Sequence, residues 1–229
     1  MKTQFIVGSL GALLCAPLAS SADNAAAITA ERVSVFNAPL VCPAAPQIGC
    51  GSASKPILLD LEKQPGVLEA WLNRAGTIIA IVWKSESSAD NRRNVATELK
   101  EDRATEMEGR SREQVVRDFL SGKGWYRGAD VDRLSEEEAG IIAARLIRRV
   151  EAKTPLPKEK AQEFQHDLAE SWSRCVTSGK HVAGNPAGQP TCRFEDIGED
   201  IAPKYLNQEQ LKFWKEAVEH GVLPLPNES

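Results

Sequence analysis

The order of the apolar segments between residues 55 and 83 restricts the fold of this chain more than any other feature of the sequence. Apolar residues over 55–64 have helical spacing, and Pro65 ends that helix. Two apolar, β-prone segments follow at 67–73 and 77–83, and only a three-residue turn separates them. This arrangement predicts a β-hairpin, so a helix leads directly into two antiparallel strands.

Shorter elements flank this helix and hairpin. Alternating apolar residues at 32–36 predict a strand before them, and a helix at 111–120 with a short strand at 125–131 follows. The segment 84–110 is strongly charged and has few apolar residues, so it is expected to be an insertion or a solvated arm. The resulting order, β-α-β-β-α-β, is that of a ferredoxin-like domain, which we predict over residues 32–133.

Helical patterns account for the rest of the chain. Three amphipathic stretches separated by segments rich in Pro and Gly predict a helical domain over 134–229. The fold class is therefore α+β: a ferredoxin-like domain followed by a helical C-terminal domain. The three glutamates at 136–138 are interpreted as residues at a helix N-terminus, where negative charge interacts favourably with the helix dipole. Capping boxes predict where three helices begin, at Ser111 with Gln114, Ser135 with Glu138, and Asn207 with Gln210.

The composition excludes several classes of protein. Hydrophobic residues make up 42% of the chain and charged residues 26%, which excludes a disordered or collagen-like chain. A formal net charge of −4 and an aromatic content of 6% argue against a nucleic-acid partner. No second long apolar run follows the N-terminus, which excludes a polytopic membrane protein. No phosphate-loop or nucleophile-elbow pattern is present, so the sequence does not predict an enzyme.

The first 22 residues have the layout of a secretory signal peptide. The segment from Phe5 to Leu14 is apolar but short, and Ser20 and Ala22 suit a cleavage site after Ala22. The sequence therefore predicts a periplasmic or secreted protein. Lipidation at Cys15 is the alternative interpretation of this segment.

Removal of residues 1–22 would leave an even number of cysteines. An oxidising compartment then favours two disulfides, and four cysteines allow three pairings. Proximity in sequence favours one pair in each half of the chain, Cys42 with Cys50 and Cys175 with Cys192. A metal site that uses Cys175, Cys192 and His181 is the alternative for the second pair.

The sequence around Cys50 is distinctive. Cys50 precedes a Pro-Gly-Val sequence by fifteen residues, and Val-x-x-Ala-x-Leu-Asn follows at 67–73. These residues resemble the heavy-metal-associated domain of copper chaperones, metal-pumping ATPases and periplasmic mercury-binding proteins. The segment from Ser111 to Tyr126 is similar to the second helix of that family and its closing Gly-Tyr. The resemblance covers about residues 32–133, under half of the chain, and leaves 84–109 unmatched. It implies a ferredoxin-like fold that binds a soft metal through thiolates.

The metal ligands that the resemblance implies are Cys50 and Cys42. The family uses a Cys-x-x-Cys motif, but Ala53 stands where its second cysteine would be, and Cys42 lies eight residues before Cys50. The loop between the two cysteines contains prolines and a glycine, so it can fold back and bring both thiols to a helix N-terminus. Thiolates there have a lowered pKa and select Cu(I) or Hg(II) over hard cations.

The resemblance thus implies an exported protein that binds mercury or copper. It would keep the ion or hand it on to a membrane metal transporter or another periplasmic protein. Two alternatives remain open for Cys42 and Cys50. They form a structural disulfide in a non-catalytic interaction module, or they are the reversible pair of a thiol-redox protein.

Overall fold

A computed structural model describes residues 28–178 and 194–228 of the chain. Within these ranges the protein combines helices with an antiparallel sheet, which confirms the α+β class. The strands are β1 (Val33–Asn37), β2 (Val67–Asn73), β3 (Ile78–Trp83), β4 (Thr105–Glu106) and β5 (Trp125–Arg127). The helices are α1 (Gly51–Lys63), α2 (Ala89–Glu101), α3 (Gly109–Leu120), α4 (Asp132–Glu151), α5 (Lys158–Thr177), α6 (Phe194–Tyr205) and α7 (Gln208–Glu219).

The strands of the sheet lie in the order β4-β1-β3-β2-β5, and each neighbouring pair is antiparallel. α1 connects β1 to β2, and β3 lies between these two strands. The central position of β3 explains its unbroken apolar sequence, because residues 79–83 are buried whichever face they point to. The predicted hairpin is confirmed as the β2–β3 pair.

The two faces of the sheet are covered by different helices. On one face, Phe36 and Ile81 belong to a cluster of buried residues that includes side chains from α1, α2 and α4. On the other face, Val35 and Val82 pack against Phe119 of α3 and the residues around it. Alternate residues of one strand thus enter two separate cores, as the period of two along a strand requires.

The charged segment 84–110 differs from its prediction as a solvated arm. It contains α2 and then β4, which adds a short strand at the edge of the sheet beside β1. Val95 and Leu99 of α2 are only 1% and 0% exposed. Two apolar residues spaced by four give one helix face enough apolar surface to pack on a sheet, even where the remaining faces are charged.

Two of the three predicted helix starts are wrong. α3 begins two residues before Ser111, and α4 begins at Asp132, so Ser135 is inside a helix and buried. The third prediction is confirmed, since Asn207 and Gln210 form a reciprocal capping box at the start of α7.

The helices after the sheet share its hydrophobic core rather than standing apart. α4 contacts α1, α5 and α7, and Phe164 of α5 stacks on Tyr205 with ring centroids 5.1 Å apart. The predicted boundary between residues 133 and 134 falls in the first turn of α4, and one cluster of buried residues includes members from both sides of it. None of the helices in the described part of the chain is long and apolar enough to cross a membrane.

Candidate metal and thiol site

The loop from β1 to α1 folds back on itself and brings Cys42 towards Cys50. The backbone N–H of Cys42 donates to the carbonyl of Ile48 (2.9 Å), and the N–H of Cys50 donates to the carbonyl of Leu40 (2.8 Å). Cys50 is the N-cap residue of α1. Both cysteines therefore lie at the N-terminal end of this helix, which is the arrangement that the prolines and glycine of the loop were expected to permit.

The β2–β3 hairpin holds this loop in place through a close contact of two glycines. A Cβ atom on Gly49 would lie 2.9 Å from the Cα of Gly76, closer than real Cβ atoms approach another atom. The N–H of Gly49 donates to the carbonyl of Arg74 (2.8 Å), and the carbonyl of Gly76 accepts from the N–H of Leu40 (3.0 Å). Gly76 also has a φ of +71°, which favours glycine.

A second close contact brings α4 against the start of α1. A Cβ atom on Gly51 would lie 2.7 Å from the carbonyl oxygen of Val131 and 2.8 Å from the backbone nitrogen of Ser135. Lys55 of α1 forms a salt bridge with Asp132 of α4 (2.6 Å) at the same junction. The first two turns of α4 are thereby held beside Cys50.

This junction adds a carboxylate to the two thiols. The Sγ atoms of Cys42 and Cys50 and a carboxylate oxygen of Glu138 all lie within 4.8 Å of one another. Both cysteines are free thiols. Cys42 is 1% exposed, whereas Cys50 and Glu138 are half-buried. The structure thus brings together the two predicted ligands and adds a third group, which we call the Cys-Cys-Glu cluster.

The sequence did not identify Glu138 as a site residue. It was interpreted as one of three acidic residues at a helix N-terminus, but α4 begins six residues earlier, at Asp132. Its spacing could have identified it, because Glu138 lies four residues after Leu134 and four residues before Ile142. Both of these apolar residues are buried. A carboxylate that interrupts an apolar helical stripe is either paired or functional.

Hydrogen bonding makes the two thiols chemically unequal. A hydrogen bond from Cys42, helped by Ser52 and the backbone N–H groups of Ser52 and Ala53, lowers the pKa of Cys50 to about 5. The same hydrogen bond to Cys50, together with burial, raises the pKa of Cys42. At neutral pH, Cys50 is therefore a thiolate that accepts a hydrogen bond from the Cys42 thiol.

Burial and the charge of Cys50 also act on the carboxyl group of the cluster. Loss of hydration and then the nearby thiolate raise the pKa of Glu138 to about 7. The negative charges of Cys50 and Glu138 thus repel each other in one partly dehydrated site. A cation bound between them would remove this competition.

Arg145 fixes the cysteine loop from a position two turns further along α4. Its guanidinium is buried, and Nη1 donates to the carbonyl of Ala44 (2.7 Å) in the loop and to the carbonyl of Val222 (2.6 Å) near the C-terminus. Its Nε has no hydrogen-bond partner in the described structure. α4 therefore carries both Glu138 and the group that positions the loop of Cys42.

The second predicted cysteine pair is only half described. Cys175, near the end of α5, is disulfide-bonded. Its predicted partner Cys192 and the alternative ligand His181 lie outside the described residues, as does the predicted signal peptide at 1–22. The pairing of Cys175 with Cys192 therefore stays a prediction. In the described ranges, the Cys-Cys-Glu cluster is the one group of three Cys, His, Asp or Glu side chains whose ligand atoms converge.

Comparison with family models gave no match, and comparisons with the curated proteins and with the solved structures gave no significant match. The function of this chain has therefore to be inferred from the chemistry of the Cys-Cys-Glu cluster.

Proposed function

We propose that this protein binds a soft metal ion, Hg(II) or Cu(I), through the sulfur atoms of Cys42 and Cys50. The observation that carries the proposal is the convergence of two free thiols within 4.8 Å at the N-terminus of α1. Soft thiolate ligands favour soft ions, and two of them satisfy the low coordination numbers that Hg(II) and Cu(I) accept. The ion would displace the proton that Cys42 holds, since the ligand form of a thiol is the thiolate.

The unequal exposure of the two thiols supports a role in receiving and passing on the ion. Cys50 is half-buried and already anionic at neutral pH, so an incoming ion meets it first. Cys42 lies behind it and is 1% exposed, so it completes the site only after the first contact. A partner thiol would reach the ion from the side of Cys50, and a membrane metal transporter or another periplasmic protein is the partner class we propose.

The same proposal relates residues 32–133 to the heavy-metal-associated, ferredoxin-like family. It is supported by the strand order β4-β1-β3-β2 and by the position of α1, which crosses from β1 to β2 with β3 between them. In this plan the second helix and the fourth strand would be α2 and β4, from the segment 84–110. α3 and β5, which contain the sequence similar to the family's second helix and closing Gly-Tyr, would be additions to it, because α3 covers the opposite face of the sheet. A periplasmic or secreted location belongs to the proposal as well, since it rests on the sequence of residues 1–22.

Metal titration of the reduced protein tests the proposed function. We expect one Cu(I) or Hg(II) per chain to be retained against a weak competing thiol, and C42S and C50S each to abolish this retention. The matched control is the double variant Cys175→Ser with Cys192→Ser, which removes the two cysteines outside the cluster and should bind the ion as the wild type does. Wild-type protein that loses both ions to the competitor, with an unchanged circular dichroism spectrum, would refute the proposal.

A second candidate function is thiol–disulfide exchange, and the asymmetry of the cysteines favours it. An accessible low-pKa thiolate beside a buried thiol of raised pKa is the arrangement of an attacking and a resolving cysteine. The Cys50 thiolate would attack a disulfide of a protein substrate, form a mixed disulfide and release one substrate thiol. Cys42 would then attack the Cys50 sulfur, releasing the second substrate thiol and leaving a Cys42–Cys50 disulfide. The two cysteines would thus have donated two electrons to the substrate disulfide.

Trapping of the mixed disulfide distinguishes this second function. With oxidised glutathione as the probe, C42S should accumulate a glutathione adduct on Cys50, because the resolving thiol is absent. The matched variant C50S should form little adduct, since Cys42 is buried. Mass spectrometry of the intact protein measures the amount of adduct on each variant. Equal amounts on C42S and C50S, or no adduct on either, would contradict thiol–disulfide exchange.

A further inference from the structure

We infer that Glu138 is a third metal ligand, so that the cluster also takes a borderline divalent ion of the Zn(II) or Cd(II) class. The inference rests on the proposed function, because it uses the same two sulfur atoms. It adds an oxygen ligand from Glu138, which lies outside residues 32–133, the part of the sequence that resembles a metal-binding domain. The chemical consequence is a site with two sulfur atoms and one oxygen atom.

The geometry of α4 carries this inference. Glu138 extends from the second turn of α4, and a carboxylate oxygen reaches to within 4.8 Å of both sulfur atoms. The contacts at Gly51 and Lys55 fix this part of α4 against α1, so the approach does not depend on a flexible loop. A ligand atom held by a rigid helix is already placed for coordination before the ion arrives.

Glu138 is half-buried and has no basic partner among the described residues, whereas two acidic residues near it on α4 are paired. Asp132 forms a salt bridge with Lys55, and Glu137 forms one with Arg74. No Lys, Arg or His in the described residues forms a salt bridge with Glu138, although its side chain is half-buried against the two cysteine sulfur atoms. A half-buried carboxylate without a cation is costly, and a divalent ion at the cluster would supply the missing positive charge.

The charges and ligand types of the cluster indicate for which ion Glu138 raises the affinity of the site. Two thiolates neutralise a divalent ion and already leave Cu(I) with a net negative charge, so a third anion is unfavourable for Cu(I). Hg(II) is satisfied by two sulfur atoms, whereas Zn(II) accepts mixed sulfur and carboxylate ligands and prefers four. Three protein ligands leave one position open on the accessible side, for water or for a ligand from a partner.

Competition with a chromophoric chelator tests the inference on the full mature chain. We expect E138Q to lower the affinity for Zn(II) and Cd(II) by roughly tenfold or more and to change Cu(I) affinity by less than about threefold. The matched control is E136Q, because Glu136 lies on the same turn of α4 but is exposed, and it should change neither affinity. A second variant, E138C, offers a third sulfur atom and should raise the affinity for Cd(II) above that of the wild type.

The outcomes separate this inference from the proposed function. If wild-type protein binds Cu(I) but not Zn(II) or Cd(II), or if E138Q and E136Q bind Cd(II) equally well, Glu138 is not a ligand, although the two-sulfur site stands. If the wild type retains neither Cu(I) nor Hg(II), the proposed function fails first. Circular dichroism of each variant shows whether a loss of binding reflects a loss of fold.

Discussion

Gly51 is the residue at which the packing of the fold and the composition of the site meet. It begins α1, directly after the thiolate of Cys50, and its missing side chain leaves room for the backbone of α4 at Val131 and Ser135. Ser135 in turn lies one turn before Glu138. Any side chain at Gly51 must therefore push α4 away from α1, and this movement would separate the carboxylate from the two sulfur atoms.

The substitution Gly51→Ala tests this contact. Alanine is the better helix former, yet its Cβ would lie 2.7 Å from a carbonyl oxygen and 2.8 Å from a backbone nitrogen, so we expect a net loss of stability. A loss of about 1–3 kcal/mol in the free energy of unfolding, as in other overpacked sites, should appear in urea denaturation. The matched control is Gly140→Ala in α4, where nothing lies within 4 Å and alanine should be neutral or stabilising. Equal effects of the two substitutions would contradict the close contact.

The residues of the site were predictable only in part from the sequence. The two cysteines were predictable, because they lie in one short loop before a helix and local geometry brings them together. Glu138 was not, since it is 88 residues beyond Cys50 and reaches it only through the junction of α1 with α4. The sequence pattern instead suggested that Glu138 belongs to the charge at a helix N-terminus. That interpretation misplaced the start of α4, which depends on tertiary contacts at Gly51 and Lys55.

At the scale of elements, periodicity predicted the order of helix and hairpin but not the packing of α2. The segment 84–110 has so few apolar residues that its charge dominates its sequence pattern. The helix forms because Ser88 caps it, accepting a hydrogen bond from the N–H of Asn91 (3.1 Å), and because Val95 and Leu99 fall on one face. Tertiary burial of two side chains thus outweighs the polar character of the segment.

The substitution Leu99→Ala measures how much α2 contributes to the core. Leu99 is 0% exposed, so its truncation should lower the free energy of unfolding by about 2–5 kcal/mol. A solvated arm would instead tolerate the change. The matched control is Leu120→Ala at the end of α3, where the leucine is 44% exposed and the effect should stay within about 0.5 kcal/mol. If Leu99→Ala is as mild as Leu120→Ala, α2 does not pack on the sheet in solution.

At the scale of the whole molecule, α4 joins the site to the C-terminal segment. Glu138 lies near its start, Arg145 reaches the cysteine loop and the carbonyl of Val222, and Arg149 holds Glu228. The bond to Glu228 is bidentate, with both carboxylate oxygens 2.8 Å from nitrogen atoms of Arg149. The segment after α7 is therefore fixed to the same helix that positions the Cys-Cys-Glu cluster.

This clamp predicts a defined dependence of stability on pH. The hydrogen bonds from Arg149 lower the pKa of Glu228 from 4.5 to about 2. Because the unfolded chain binds the proton more tightly, the stabilisation is complete above about pH 4.5 and is lost as the pH falls towards about 2.

The substitution Glu228→Gln tests this clamp. It should lower the free energy of unfolding at neutral pH by about 2 kcal/mol and remove the part of the stability that is lost in acid. Glu170→Gln is the control, because its pair with Arg174 is exposed and worth at most about 0.5 kcal/mol. Urea denaturation at several pH values gives both quantities, and parallel curves for wild type and E228Q would show that the clamp does not contribute.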